Sequence, residues 1–311
     1  MAYTIPVIID CDPGHDDAVA LALAFASGTL DVLAVTVTGG NQTLAKTLRN
    51  AKRVLYRLGK QPPVAAGADK PLCRSLEVAA AVHGSSGLDG YPLSDPPWQE
   101  TPEPAWDLTR RLILESPEPV TLIPTGPLTN IAILFSAYPD VKQNIRRISL
   151  MGGAVCCGGN WTSAAEFNIA VDPEAADIVF KSGVPITMCP LDVTHKALML
   201  PPEIEELKRH GGEVSTMIAG LIDFFYRYYA GEGFAGAPLH DTCAVGILIA
   251  PEMFTVRNMH IDIETRGAHT TGMTLADLRP ASKAPHNAAV CMDVDRPAFI
   301  RLLLDACMSY G

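Results

Sequence analysis

Short apolar runs closed by polar or glycine-containing turns recur along the chain, and each is followed by a stretch of helical periodicity. Residues 5–9 are apolar enough for a buried strand; Pro13-Gly14 turns the chain, and residues 18–25 continue as an apolar helix. Residues 31–37 read as a second buried strand ending in Thr38-Gly39-Gly40-Asn41-Gln42-Thr43. Residues 44–58 are then helical, with apolar positions at Leu44, Leu48, Ala51, Val54, Leu55 and Leu58. A short third strand covers 63–67, and the pattern lapses from 68 to 104. A gap that long inside a compact domain is usually functional or disordered. Its histidine and glycines point to a site wall in the first half, and its prolines to a surface excursion in the second. Alternation resumes with helix 105–114, strand 120–124, helix 128–135 and strand 145–151, then a glycine-rich loop over 152–161. Asp172-Pro173-Glu174 opens a further helix, with proline at the first helical position, and 184–189 is a sixth strand.

Beyond residue 200 the order changes. Residues 201–210 and 214–229 read as two helices, 231–238 as a flexible link, and 239–249 as another helix. Late strands over 254–264, 272–278 and 288–294 precede a closing helix over 297–307. Strand, turn and helix in alternation imply βαβ units. The expectation is α/β: a doubly wound, mainly parallel sheet with a helical insertion, a single domain over 1–311, and an active site at the C-terminal strand ends.

Composition narrows the partners. The chain has 311 residues, 48% of them hydrophobic, and a formal charge of −10. That balance argues against nucleic acid and anionic membranes. No apolar run approaches membrane-spanning length. Met1-Ala2-Tyr3-Thr4 has no basic character and residues 5–9 are too short for a signal core, so a leader is not expected. The eight cysteines are scattered without a CxxC pair, and adjacent Cys156 and Cys157 lack zinc-type spacing. This usage suits a reducing compartment and a cytoplasmic location.

The chemistry collects where strands end. Asp10, Asp12, Asp16 and Asp17 place four carboxylates within eight positions at the end of the first strand. They repel one another unless a positive charge sits among them. With no cysteine or histidine cluster alongside, Ca²⁺ or Mg²⁺ fits best. Asn41, Thr125, Asn160, Glu166, Asn168 and Asp192 fall at later strand ends, and His240-Asp241 opens a helix that could fold over the same edge. Such an oxygen-rich set suits a neutral polyol such as ribose and suits phosphate poorly, since no P-loop or arginine cluster accompanies it. Read singly, several of these residues have plainer roles: Asp16 or Asp17 as a helix cap, Asn41 or Asn160 as a turn residue, His83 as a loop histidine. Glu166 and Asn168, flanking Phe167, could share one face of an extended segment. The aromatic run from Phe224 to Tyr229 reads as helix core before it reads as a base-stacking wall, and His15 and His195 as structural.

Asp10-Cys11-Asp12-Pro13-Gly14-His15-Asp16-Asp17 resembles the DxDPGxDD signature of the inosine-uridine preferring nucleoside hydrolases. The resemblance runs on in order through Gly40-Asn41-Gln42-Thr43, His83-Gly84-Ser85-Ser86-Gly87, Pro124-Thr125-Gly126-Pro127, Met151-Gly152-Gly153, Ala165-Glu166-Phe167-Asn168-Ile169 and His240-Asp241. It implies a Ca²⁺-dependent enzyme, one ion per chain, that hydrolyses ribonucleosides to ribose and free base in nucleoside salvage. Carried over by motif, Asp12, Asp17, the Thr125 carbonyl and Asp241 would hold Ca²⁺, and Asp12 would be the general base. Asp10 would buttress them from behind. Asp16, Asn41, Asn160, Glu166 and Asn168 would grip the sugar, with Met151, Phe167 and Tyr228 completing the substrate site. His83 and His240 would face the base, His240 as catalytic partner of the leaving group. The resemblance also suggests a homo-oligomer, a tetramer first.

His15 and Asn160-Trp161-Thr162 resemble the pyrimidine-leaning members, favouring cytidine and uridine. A purine-accepting or non-specific hydrolase is the neighbouring alternative. Two other classes compete: a metal-dependent phosphatase with an Asp-x-Asp motif, and a non-catalytic nucleoside-binding protein.

Overall fold

β1 (Ile5–Cys11) is buried along its length except at its first residue, as expected of a strand covered on both faces. Val7, Ile9 and Cys11 join one apolar core and Ile8 the other, so the two-residue period of the strand divides the molecule into two layers. The computed structural model describes residues 4–310; Met1 to Tyr3, on which the leader reading partly rests, and Gly311 lie outside the described residues.

In chain order β1 is followed by α1 (His15–Ala26), β2 (Leu30–Val37), α2 (Leu44–Arg57), β3 (Val64–Ala66) and a one-turn α3 (Ala80–His83). Then come α4 (Ala105–Glu115), β4 (Val120–Pro124), α5 (Thr129–Ala137), β5 (Ile145–Met151), α6 (Phe167–Val171), α7 (Pro173–Phe180) and β6 (Ile186–Cys189). The remainder comprises α8 (Leu191–Thr194), β7 (Leu198–Met199), α9 (Pro201–His210), α10 (Glu213–Gly231), β8 (Ala237–Pro238), α11 (His240–Ile249), β9 (Phe254–Met259), β10 (Ile261–Ile263), β11 (Thr274–Ala276), β12 (Ala288–Val294) and α12 (Arg296–Met308).

Eight strands form one sheet in the order β3-β2-β1-β4-β5-β6-β12-β9, parallel throughout except for the antiparallel β12-β9 edge. Buried residues of α1, α2, α10, α11 and α12 pack in the core on one face, and those of α4, α5 and α7 in the core on the other. The strand order reverses between β1 and β4. Ligands of doubly wound sheets bind at that switch point, outside the carboxyl ends of the strands. The acidic run follows β1, and Thr125 follows β4.

Four local readings differ from the sequence expectation. Helix α1 begins at His15 rather than 18, because the Gly14 N–H donates to Asp17 Oδ2 (2.9 Å) and closes the first turn around the acids. The 254–264 run is two strands: β9 belongs to the main sheet, while β10 turns away into a hairpin with β11. Residues 231–238 are not a free link. The Phe234 N–H donates to the Tyr229 carbonyl (2.9 Å), and β8 pairs with β7. Glu166 and Asn168 do not lie on an extended segment; Glu166 is the N-cap of α6, where its side chain accepts from the N–H groups of Asn168 and Ile169. An exposed-to-half-buried stretch of the 68–104 excursion is clasped to α2 by Asp95 with Arg49 and Arg53 and by Glu100 with Lys52.

Candidate active site

At the switch point the segment after β1 brings three carboxylates into the interior, and the first turn of α11 brings a fourth. Asp12, Asp16, Asp17 and Asp241 are each at most 4% exposed. Carboxylate oxygens of Asp16, Asp17 and Asp241 all lie within 4.8 Å of one another. The family resemblance puts Asp12 with Asp17 and Asp241 and leaves Asp16 to the sugar; the group within this distance includes Asp16 and not Asp12. Asp12 lies alongside it. Its Oδ2 accepts the Asn41 N–H (2.6 Å), and its Oδ1 is buried with no hydrogen-bond partner. The cradle around Asp12 is made by glycines. A Cβ on Gly126 would sit 2.5 Å from Oδ1, and one on Gly40 would overlap Oδ2.

Thr125 ties β4 to the acids. Its hydroxyl donates to Asp17 Oδ1 (2.8 Å), while its carbonyl accepts the Asn168 amide (2.8 Å). Asn41 donates through its side-chain amide to the Asp12 carbonyl (3.1 Å). Asp10 stands behind them, accepting from the Thr36 hydroxyl and the Asn130 amide. Burial is the largest influence on every acid here. It raises Asp10 to about 6, and Asp16 to about 7 with help from the Asp17 charge. Burial and then neighbouring carboxylates push Asp12 and Asp241 well above the ordinary range. Such a group is unfavourable as it stands and favourable around a cation. The donor set, carboxylates with a carbonyl and amides, is that of a hard divalent ion. The residues fit such a metal.

Above the acids opens a cavity of ≈ 340 Å³, a size usual for small-molecule sites. Of the residues expected at the substrate, Asp16, Asn41, His83, Met151, Asn160, Glu166, Phe167, Asn168 and Tyr228 all line it, as do Thr125, Asp241 and His240. Asp12 and Asp17 lie beneath the lining. Neither lysine nor arginine reaches the wall. Glu166 is committed to backbone: besides its cap on α6, Oε2 accepts the Gly153 N–H (2.9 Å), and burial raises the group to about 7. Asn160 likewise accepts the Phe167 N–H (3.0 Å). Asp192 is not on the wall; it accepts the N–H groups of Val155 and Cys156 (2.7 Å each) and anchors the glycine-rich loop.

Sequence reasoning missed one side of the cavity. Phe225, Tyr229, His195 and Phe234 line it too. The Tyr229 hydroxyl meets His240 Nε2 (2.9 Å), and His240 Nδ1 meets the Thr194 hydroxyl (2.8 Å). Both nitrogens of His240 are therefore engaged, and burial holds its pKa well below the usual histidine range. Facing it, His83 contacts His15 (Nδ1 to Nδ1, 3.0 Å), whose Nε2 reaches the Asp89 carbonyl (2.7 Å). Phe225 and Tyr229 stand four apart on the buried face of α10; Phe224 and Tyr228 share the same spacing, so periodicity alone did not single the buried pair out.

A doubly wound sheet whose switch point carries a buried acid cluster, under a cavity lined by neither lysine nor arginine, defines a class of α/β proteins with a small-molecule pocket over a candidate metal site. The chain belongs to the inosine-uridine preferring nucleoside hydrolase family, whose model matches residues 7–301. It is a hydrolase acting on N-glycosyl bonds. It is 51% identical over 308 residues to a protein of Photobacterium profundum named pyrimidine-specific ribonucleoside hydrolase RihA, covering 98% of this chain and 99% of that one. A protein of the same name from Escherichia coli O81 is 49% identical over 310 residues, covering 99% of each. Among solved structures, a purine-preferring ribonucleoside hydrolase from Gardnerella vaginalis superimposes with a TM-score of 0.92 at 30% identity, over 98% of both chains.

Proposed function

We propose that residues 1–311 form one nucleoside hydrolase domain that cleaves the N-glycosidic bond of cytidine and uridine in a Ca²⁺-dependent way. The observation that carries this reading is the group of fully buried carboxylates without any cationic side chain, at the floor of a cavity rich in oxygen and amide groups. The pyrimidine preference is supported by relatives near 50% identity that carry a pyrimidine-specific name, against 30% for the purine-preferring structure.

In this reading Asp12, Asp17, Asp241 and the Thr125 carbonyl hold the ion, with Asp16 close enough to share it. Bound there, Ca²⁺ supplies positive charge that acidifies water and anchors sugar hydroxyls. Asp12 Oδ1 takes the proton of the attacking water, while Oδ2 stays on the Asn41 N–H that orients the carboxylate. Asp16, Asn41, Asn160 and Asn168 meet the ribose hydroxyls, and Glu166 holds the loop and helix that present them. As the bond from C1′ to the base nitrogen breaks, positive charge grows on the sugar, and the surrounding carboxylates stabilise it. The departing base gains a hydrogen bond from the Tyr229–His240 pair, which reaches it through the tyrosine hydroxyl. Met151, Phe167, Tyr228 and Phe225 supply apolar and aromatic surface around the substrate.

We read the protein further as a cytoplasmic homotetramer serving nucleoside salvage. Family resemblance supports the tetramer and the salvage role, and eight cysteines, all unpaired, suit the reducing compartment. No helix among the described residues is long and apolar enough to cross a membrane.

The test is to incubate the purified protein with cytidine, uridine, inosine and adenosine in Ca²⁺ and measure free ribose. Ribose from the two pyrimidines ahead of the purines is expected. Ribose from inosine or adenosine at equal rates would overturn the base preference. No ribose from any of the four would overturn the hydrolase reading for this chain's substrates. Phosphate release from nucleotides without free base would favour a phosphatase.

A further inference from the structure

His15 lies in the family signature but is neither an acid nor on the cavity wall, and the mechanism above leaves it without a task. It is fully buried. Its ring is stacked against Phe224 and Phe225, each at 5.3 Å between centroids with interplanar angles of 8° and 13°, and against His83 at 5.3 Å. Both of its nitrogens are engaged. Nε2 lies 2.7 Å from the Asp89 carbonyl and Nδ1 lies 3.0 Å from His83 Nδ1.

The direction of these two bonds follows from their ends. A carbonyl only accepts, so the proton of His15 is on Nε2. A second proton on the same ring would point at His83 from a site with no carboxylate in hydrogen-bonding reach of either nitrogen. His15 Nδ1 is therefore a lone pair, and the single proton between the rings is on His83 Nδ1. A neutral imidazole carries one proton, so His83 Nε2 is left bare. That nitrogen has no hydrogen-bond partner among the described residues, and the His83 ring lines the cavity. The approach of the rings depends on the signature glycine: a Cβ on Gly14 would come within 2.5 Å of His83 Nδ1.

We propose that His15 is a positioning residue that fixes the tautomer of His83, so that His83 offers the base a hydrogen-bond acceptor and selects bases whose edge carries an N–H donor. The donors of that kind on a pyrimidine are the N3–H of uracil and the 4-amino group of cytosine. The substrate half of this inference rests on the nucleoside hydrolase reading; the tautomer half does not. It also divides the labour within the cavity, since a His83 wired this way accepts from the base and leaves proton delivery to the Tyr229–His240 side.

Nitrogen-15 spectra of the full-length, Ca²⁺-loaded protein with labelled histidine test the wiring, with His83 assigned from the signals lost in His83→Asn. The expected pattern is an unprotonated Nε2 and a protonated Nδ1 on His83, with the reverse on His15. In His15→Gln the side-chain amide can donate to the Asp89 carbonyl and accept from His83, so the His83 pattern should survive. In His15→Phe the acceptor is gone, and the His83 Nε2 signal should move toward the protonated form. A protonated Nε2 in the wild-type protein overturns the proposal, and should His15→Phe not fold, the wild-type and His15→Gln spectra still decide.

The second readout is the ratio of kcat/KM for uridine over N3-methyluridine. The hydrogen bond at stake predicts a ratio of roughly tenfold or more in the wild type and His15→Gln, falling toward one in His15→Phe. An unchanged ratio in a folded His15→Phe protein overturns the selection. Absence of turnover on every nucleoside would instead fail the hydrolase reading, while the nitrogen pattern would still decide the tautomer.

Discussion

Asp12 combines two properties that rarely meet in one side chain: one oxygen held by a backbone N–H, and one buried without a partner. A positioned general base contributes about 10²–10⁴-fold to rate. Asp12→Ala should lower kcat by at least that range, read as ribose release from uridine, and a near-normal rate would contradict its role. His240 calls for a different measurement. If the Tyr229–His240 pair assists departure of the base, then His240→Ala and Tyr229→Phe should slow uridine far more than an aryl riboside whose leaving group needs no proton. Equal slowing of the two substrates would remove the pair from that step.

At this scale the acids were legible because four carboxylates within eight positions exceed what helix capping uses. His83, His240 and Tyr228 were read at the substrate, but Phe225, Tyr229, His195 and Phe234 beside them were not. Phe225 and Tyr229 continue the buried face of a helix whose earlier buried residues are core, and both serve two ends, packed in the apolar layer and bordering the cavity. His195 gave no signal because its partners, Phe234 and His240, arrive from segments far away in the chain, and His15 stood out only through the family resemblance, its partner Asp89 being equally remote.

Elements explain why the site residues face one another. β1 and β4 are adjacent in the sheet, yet 115 residues separate Asp10 from Thr125, whose N–H donates to the Asp10 carbonyl (2.8 Å). The parallel strands and their order of polar ends were readable from apolar runs and turns. The reversal of strand order was not readable from any local pattern, since it depends on which strands pair. Helix α6 was read as extended because it is only five residues long; its N-cap, Glu166, looks like a ligand in sequence and acts as a cap in structure. Loss of a helix cap costs about 0.5–2 kcal/mol, and here the Gly153 N–H would lose its acceptor as well. Glu166→Ala should therefore lower the melting temperature measured by calorimetry, and Glu166→Gln, which keeps one acceptor oxygen, should lower it less. A Glu166→Ala protein as stable as the wild type would mean that the carboxylate serves substrate alone.

Across the whole molecule, the two apolar layers support a sheet that ends in charge repulsion. A ligand bound only by the folded state stabilises it by mass action, about 2.7 kcal/mol at a hundred times its Kd. The melting temperature should accordingly rise with Ca²⁺ and fall on chelation, and a melting temperature indifferent to confirmed metal loss would count against a cation at the acids. Sedimentation should give four times the 33.2 kDa chain mass if the tetramer reading holds; a single-chain mass at micromolar concentration would dismiss it.

The acids of the DxDPGxDD stretch and their metal carry the central claim, and one titration tests both. Chelator-stripped protein, with metal loss confirmed by elemental analysis, is returned to Ca²⁺ in steps while ribose release from uridine is followed. Turnover should be absent at the start and rise to a plateau at one Ca²⁺ per chain. Full turnover in the metal-free protein, or none at saturation with the fold intact, would contradict it.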